Sequence, residues 1–216
     1  LAGRHAEDPY LNLGGIPTGK GVAEKTGDAS LTGGSARVSR DGDWSETYQC
    51  DLIDWYLKEQ QQMPDLSGSA YWVFKDFSTP LRPDNPIPYV NQKGVVTRDL
   101  IPKESYYVFQ SYWTSRPMAH IYGHTWPVRW GAAGKNELFK VYSNCPEAEL
   151  FVNGKSYGVK KRNSQDFPAA GLRWEVPLQE GDYSVRVGAR DGKDVVTDSI
   201  RFHSQTASWG KPVKLR

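Results

Sequence analysis

Several side chains in this sequence have the types and spacing to do chemistry. Asn91 and Lys93 stand two positions apart just before Gly94. An amide donor and an ammonium on one loop suit an anionic group, because a charge-assisted hydrogen bond is stronger than a neutral one. The plain alternative is a loop cap with a solvated lysine. Trp72 and Asp76 lie in the aromatic run 68–77, where Asp76 could accept hydrogen bonds from a ligand or pair with Lys75 or Arg82. His120 and His124 are four apart, a spacing that could hold a metal ion on a helix. Gly123 and β-like surroundings argue against a helix there, so no metal site is expected. Lys160, Lys161 and Arg162 form a basic run that reads as a solvated hairpin edge discouraging further strand pairing. Cys50 and Cys145 occur without any CxxC pattern and read as buried free thiols packed as small hydrophobes.

The elements that must position these groups follow from pattern. Residues 1–43 are rich in Gly, Ser, Thr and Asp, carry no lasting apolar period and read as loops. Ser45 is placed to cap a helix, with Tyr48, Leu52, Trp55, Tyr56 and Met63 at helical spacing and Pro64 at its end. Residues 68–77, short and aromatic, read as a buried strand of the parallel kind. A Pro-rich loop follows over 79–88, then a second helix from Lys103 to Trp113. Helix, strand, loop and helix make an α/β unit. After about Pro117 the pattern changes to short alternating strands at 138–142, 149–152, 173–177, 182–190 and 195–203. Asn153-Gly154 and Asp191-Gly192 are hairpin turns between them. This predicts an antiparallel β-sandwich. The two parts, 1–115 and 116–216, are expected to pack on each other, since each alone buries little.

The charge balance excludes some function classes. The chain of 216 residues has 27 Lys and Arg against 25 Asp and Glu, a formal charge of +2. That gives neither a nucleic-acid footprint nor a polybasic membrane patch. No run approaches the roughly 18 apolar residues of a membrane helix, so neither nucleic acid nor membrane is expected as a partner. Aromatic residues make up 12%, with eight Trp, which fits a large core or a carbohydrate-facing cleft. The start, Leu-Ala-Gly-Arg-His, is neither an initiator Met nor a signal peptide. It is expected to follow something removed upstream or to open a piece of a longer chain.

Four stretches, in order, carry a family resemblance: Asp43-Trp-Ser-Glu-Thr-Tyr-Gln49; Gly68-Ser-Ala-Tyr-Trp-Val-Phe-Lys-Asp-Phe77; Asn91-Gln-Lys-Gly-Val-Val-Thr-Arg-Asp99 with Pro102-Lys103 and Tyr106-Tyr107; and Val141-Tyr-Ser-Asn144 with Ala148-Glu-Leu-Phe-Val-Asn-Gly-Lys-Ser-Tyr-Gly158. Together they resemble the C-terminal portion of glycoside hydrolase family 2 enzymes of the β-galactosidase/β-glucuronidase kind. The resemblance implies the end of a (β/α)8 TIM barrel over 1–115 and an immunoglobulin-like antiparallel β-sandwich over 116–216. Residues 68–77 would be the eighth barrel strand, and barrel enzymes build their sites at the C-terminal ends of the strands.

The same resemblance implies the chemistry. Retaining glycosidases use two carboxyl groups about 5 Å apart. The acid/base would lie upstream of Leu1. The nucleophile position, Glu in the family, falls on Asp28 or Ser30, with Asp28 the candidate and Glu24 the other nearby carboxylate; Glu46 reads as structural. Trp72 would line the sugar pocket, with Asp76, Asn91 and Lys93 as further substrate contacts. In the glucuronidase branch a matching Asn-x-Lys pair grips the sugar carboxylate. The basic run at 160–162 has contact with an acidic glycan as its alternative. The function implied is that of a retaining exo-glycosidase acting on terminal β-galactosides or β-uronides. The alternative is a non-catalytic structural or carbohydrate-binding fragment, inactive alone. The partners implied are the carbohydrate substrate and the upstream remainder of the barrel and N-terminal domains, with no cofactor. A secreted or periplasmic bacterial enzyme is implied by resemblance only.

Overall fold

The structure is a computed structural model, and it describes residues 46–81, 88–132, 134 and 136–207. The expected loops of 1–43, the Ser45 cap and the positions of Glu24, Asp28, Ser30 and Arg82 lie outside those residues.

The first element is helix α1, Glu46–Gln60. It buries Glu46, Gln49, Cys50, Ile53, Asp54 and Leu57, a stripe at i, i+3 and i+4 spacing. This corrects the face expected from the apolar residues. Tyr56 and Met63 are about half exposed, and the helix stops before Met63 and Pro64. The buried stripe carries two carboxylates and an amide, so an apolar period could not locate it. Helix α2, Glu104–Trp113, lies where the sequence places it and packs beside α1.

Residues 68–77 do not form the expected buried strand. Only Phe77–Ser78 (β1) is strand, paired antiparallel with Val90–Asn91 (β2), while Lys75 makes an isolated parallel bridge to Val96. Trp72 is 69% exposed and Phe74 59%. A strand is covered on its faces and paired at its edges only when neighbours are present, and among the described residues only the 94–96 segment and β2 pair with this stretch.

The rest is a β-sandwich, as the alternating pattern predicts. Its strands are β3 (Ala119–Ile121), β4 (Val128–Ala132), β5 (Asn136–Ser143), β6 (Glu147–Val152), β7 (Lys155–Lys161), β8 (Arg173–Pro177), β9 (Gly181–Asp191) and β10 (Asp194–Ala207). One sheet runs β4-β10-β9-β6-β7 and the other β3-β5-β8. All pairs are antiparallel except β4 with β10. The Asn153-Gly154 turn joins β6 to β7 with φ of 48° and 79°, the left-handed pair that a type I′ hairpin needs. The second hairpin turn falls one position later than expected, on Gly192 and Lys193 between the paired Asp191 and Asp194. Between the sheets lie Ile121, Phe139, Val141, Leu150, Trp174, Val185, Val187 and Phe202, all nearly solvent-free.

A second core joins the helices to the sandwich: Cys50, Ile53 and Leu57 of α1, Val108 of α2, and Tyr122, Trp126 and Tyr142. Polar contacts cross the same junction. Asp54 accepts hydrogen bonds from the backbone N–H of Ala169 at 2.7 Å and from the Tyr112 hydroxyl at 3.1 Å. Lys140 of β5 donates to Asp51 of α1 at 2.8 Å, with its ammonium 4.2 Å from the centre of the Tyr122 ring. Burial pulls the Lys140 ammonium down, but the charge and hydrogen bond of Asp51, together with the fields of Cys50 and Asp54, hold the group above its ordinary value.

A raised lysine contributes stability that is fully present below its unfolded value, about 10.4, and is lost as pH rises through the folded one. Lys140→Met should therefore lower stability by about 3 kcal/mol at neutral pH, the lower end for breaking a buried pair. It should also flatten the decline of stability above about pH 10.4. Urea midpoints of the intact protein across pH measure both, and an unchanged neutral-pH midpoint would contradict the assignment.

Candidate functional site

The segment 91–94 is held from below by a polar network whose members come from four places in the chain. Gln49 of α1 donates its amide to the Tyr71 hydroxyl at 2.8 Å and to the Lys93 carbonyl at 3.1 Å. The Tyr71 hydroxyl donates to the same carbonyl at 3.1 Å. Burial pushes the Tyr71 phenol up to about 12, so it stays a neutral donor at ordinary pH. Asp76 Oδ1 accepts the Gly94 N–H at 2.8 Å and the Lys103 ammonium at 2.9 Å. Lys103 donates also to the Gln92 carbonyl at 3.2 Å. Asp76 and Lys103 expose only 5% and 1% of their side chains, so this is a buried ion pair in which Oδ1 takes both the ammonium and a backbone N–H.

The backbone of this loop has no slack. A Cβ at Gly94 would come within 2.3 Å of the Asp76 nitrogen and 2.5 Å of the Val96 carbonyl oxygen, both main-chain atoms unable to give way. Glycine is required here for close approach. The next element is anchored as well. Helix α2 has no side-chain cap of its own; instead the Glu46 carboxylate accepts the Glu104 N–H at 2.6 Å, across from the other helix. Glu46 thus has a structural position.

Above this base the candidate ligand-facing groups are arranged as follows. Asn91 Oδ1 accepts the Lys93 N–H at 3.2 Å. Both residues are half-buried, and among the described residues no carboxylate pairs with the Lys93 ammonium. Asn91 is the register partner of Phe77, and the Trp72 ring meets the Phe77 ring edge-on at 6.2 Å between centroids. The structure thus links Trp72 to Asn91 through Phe77. Asp76, by contrast, faces inward. Its ion-pair partner is Lys103 rather than Lys75, whose side chain is exposed; Arg82, the other expected partner, lies outside the described residues. Asp28 lies outside the described residues.

Sequence reasoning missed Gln49, Tyr71 and Lys103 as the members that hold the loop. Each lies within the stretches singled out above, but nothing local signals that residues 11 to 45 positions away converge on the carbonyls of 92–94. The basic run also divides. Lys160 and Lys161 are exposed on edge strand β7, whereas Arg162 turns inward to donate to the Ser143 carbonyl at 2.9 Å and lies over the Tyr112 ring. A solvated reading of Arg162 is therefore corrected. Cys50 and Cys145 are buried free thiols.

A groove of about 550 Å³ runs beside this loop, lined by Tyr71, Phe74, Val95, Tyr106, Phe109 and Trp113. It does not include Trp72, Asn91 or Lys93. Its walls are mainly aromatic and bring no ionised side chains together.

The buried pair makes a sharp mutational contrast. Lys103→Met leaves the Asp76 carboxylate buried and unpaired and should cost about 3–5 kcal/mol. Adding Asp76→Asn removes that stranded charge while keeping an acceptor for Gly94, and should recover a substantial part. Denaturation of the single and double variants of the intact protein checks this, and a double variant no more stable than the single would count against it.

The family described as "Domain of unknown function (DUF4982)" matches residues 134–196. A putative β-glucuronidase of Formosa agariphila is 44% identical over 215 residues, 99% of this chain and 26% of that protein. A β-galactosidase of Bacteroides ovatus is 31% identical over 70% of this chain and 16% of its own length. Among solved structures, β-glucuronidase 3 from Bacteroides uniformis is 68% identical, with a TM-score of 0.76 over 79% of this chain and 22% of that one. The chain spans about a quarter or less of the length of these relatives.

Proposed function

Since the chain belongs to glycoside hydrolase family 2 and corresponds to the C-terminal region of its β-glucuronidases and β-galactosidases, we propose that it forms one wall of the sugar pocket of a retaining exo-glycosidase. The enzyme would release terminal β-linked sugars, a β-uronide ahead of a β-galactoside. The observation that carries this reading is the Asn91–Lys93 loop. Its backbone is fixed by Gln49, Tyr71, Asp76 and Lys103, and no carboxylate among the described residues pairs with Lys93. An unneutralised ammonium on a pre-organised loop suits a ligand carboxylate, which it can meet without reorganising. Asn91, whose oxygen already accepts the Lys93 N–H, offers its amide hydrogens to the same ligand. Trp72, exposed and braced against Phe77, supplies an apolar face for the sugar ring. Asp76 serves as a positioning residue beneath the loop rather than a sugar contact.

In this reading residues 1–115 are the end of the catalytic barrel, and residues 116–216 form an immunoglobulin-like sandwich buttressing it. The exposed aromatic stretch and the groove beside it support that assignment. They are faces that a strand of a closed barrel would cover, and the remainder of the barrel is the partner proposed to cover them. The carboxylates Glu46, Asp54, Asp76 and Glu104 are nearly solvent-free and accept backbone or side-chain hydrogen bonds. They are poor candidates for nucleophile or acid/base. Asp28 remains the proposed nucleophile position, with the acid/base supplied upstream. The isolated chain is accordingly proposed to be inactive, which is also what the alternative of a structural or carbohydrate-binding fragment requires.

Lys93→Met in the full-length enzyme separates these readings. For a uronide substrate it removes a contact worth roughly 1.5–3 kcal/mol, so kcat/KM on an aryl β-glucuronide should fall by about tenfold or more, with melting unchanged. The aryl β-galactoside rate should barely move. Equal losses on both substrates would refute a carboxylate contact, and no loss on either would remove Lys93 from the pocket.

A further inference from the structure

On the far side of α2 lies a cluster that the sugar-site reading does not use. His120, on β3, and His124, in the turn after it, come from His-Ile-Tyr-Gly-His, and Asp198 comes from the middle of β10. One ring nitrogen of each histidine and one oxygen of Asp198 all lie within 4.8 Å of one another. The spacing arises without a helix. Gly123 adopts φ of 77°, so the chain reverses after Tyr122 and brings His124 back over His120, with ring centroids 5.1 Å apart. Sequence reasoning set this pair aside because the His-x-x-x-His spacing lacked a helix, and it had no means of seeing Asp198.

We propose that His120, His124 and Asp198 form a binding site for one divalent first-row transition ion, with zinc as the best-fitting case. Two imidazoles and one carboxylate are a donor set that suits zinc, copper, iron or nickel over magnesium or calcium, which prefer oxygen alone. His124 Nε2 and Asp198 Oδ1 are 2.9 Å apart, a separation that two ligands of one ion can have when each stands about 2.0–2.2 Å from it. Ligands at that distance are at most about 4.4 Å from each other, so a small rotation brings in the third. His124, with 38% of its side chain exposed, is the residue free to rotate.

The surroundings are built to hold the donors. Glu104 Oε2 contacts His120 Nε2 at 2.9 Å, and Glu104 Oε1 accepts the His124 N–H at 3.1 Å. With Nε2 of His120 held by Glu104, Nδ1 is the nitrogen left for the ion, and a carboxylate on the other nitrogen of a ligand histidine is the usual way such rings are oriented. Tyr107 stacks on the other face of His120 at 3.6 Å and 6°. Asp198 Oδ2 accepts the Ile121 N–H at 2.7 Å, which fixes the carboxylate toward the pair. The ion would bridge β3 of the three-stranded sheet to β10 of the five-stranded one, beside α2. Its role is that of a clasp between the sheets, with a remaining coordination position open to solvent.

The test is a titration of zinc chloride into the full-length, chelator-treated protein, followed by calorimetry and by melting temperature, against the His124→Gln variant. The expected result is one zinc per chain at micromolar or tighter affinity, a higher melting temperature, and at least tenfold weaker binding in His124→Gln. Affinity should also drop from pH 7.5 to pH 5.5, because ligand imidazoles must be unprotonated. Calcium and magnesium at the same concentrations should give no such shift. Zinc binding that is undiminished in His124→Gln, or the absence of stoichiometric binding, overturns the proposal and leaves the cluster as a hydrogen-bonded clasp alone.

Discussion

The buried Lys103 ammonium is the contact on which the local architecture turns. It neutralises Asp76, takes the Gln92 carbonyl, and sits at the entry to α2. Removing two charges from water is costly, and the cost is offset only when the geometry also satisfies the remaining hydrogen-bonding groups. Here one carboxylate oxygen serves both Lys103 and Gly94, so the chain between 76 and 103 is fixed where the pair forms. Glu46 then ties the start of α2 to the start of α1. The apolar contacts of Cys50, Ile53, Leu57 and Val108 lie on the same helices. A polar pin thus sets the register, and hydrophobic burial supplies the bulk of the attraction.

This order of cause explains what was legible in the sequence. The sandwich was readable because its rules are local: alternation places every second side chain between the sheets, and Asn153-Gly154 is one of few pairs able to take the turn that its hairpin needs. Both helices were found for the same reason. The face of α1 was not, since Glu46, Gln49 and Asp54 are buried by partners 22 to 115 positions away. The stretch 68–77 misled in the opposite direction. Its composition reports burial, but Trp72 and Phe74 stay more than half exposed among the described residues. A segment can be correctly hydrophobic and still lie open when the surface it matches belongs elsewhere.

The candidate sugar site shows the same division. Asn91 and Lys93 can be proposed from the sequence because their chemistry lies in two side chains of one short loop. The means of holding them was not, because Gln49, Tyr71, Asp76 and Lys103 meet only in space. Residue type indicates what a group can do; the buried network around Gly94 decides where it does it. The histidine cluster adds a second case, in which a left-handed glycine achieves the convergence that sequence rules assign to a helix.

The single parallel pair in the sandwich has a kinetic consequence. The β9–β10 hairpin closes over two turn residues, so its ladder costs little loop entropy and can assemble early. Strand β4 aligns with the far end of β10, Val128 against His203 and Ala132 against Ala207, and nearly the whole sandwich lies between them in the chain. That ladder rewards the chain only after the intervening strands have condensed, which makes it the last to zip and the first to fray. Amide protons along β4 should accordingly exchange with solvent sooner than those of β9, and a ladder as well protected as the hairpin would show instead that the sandwich opens as one unit.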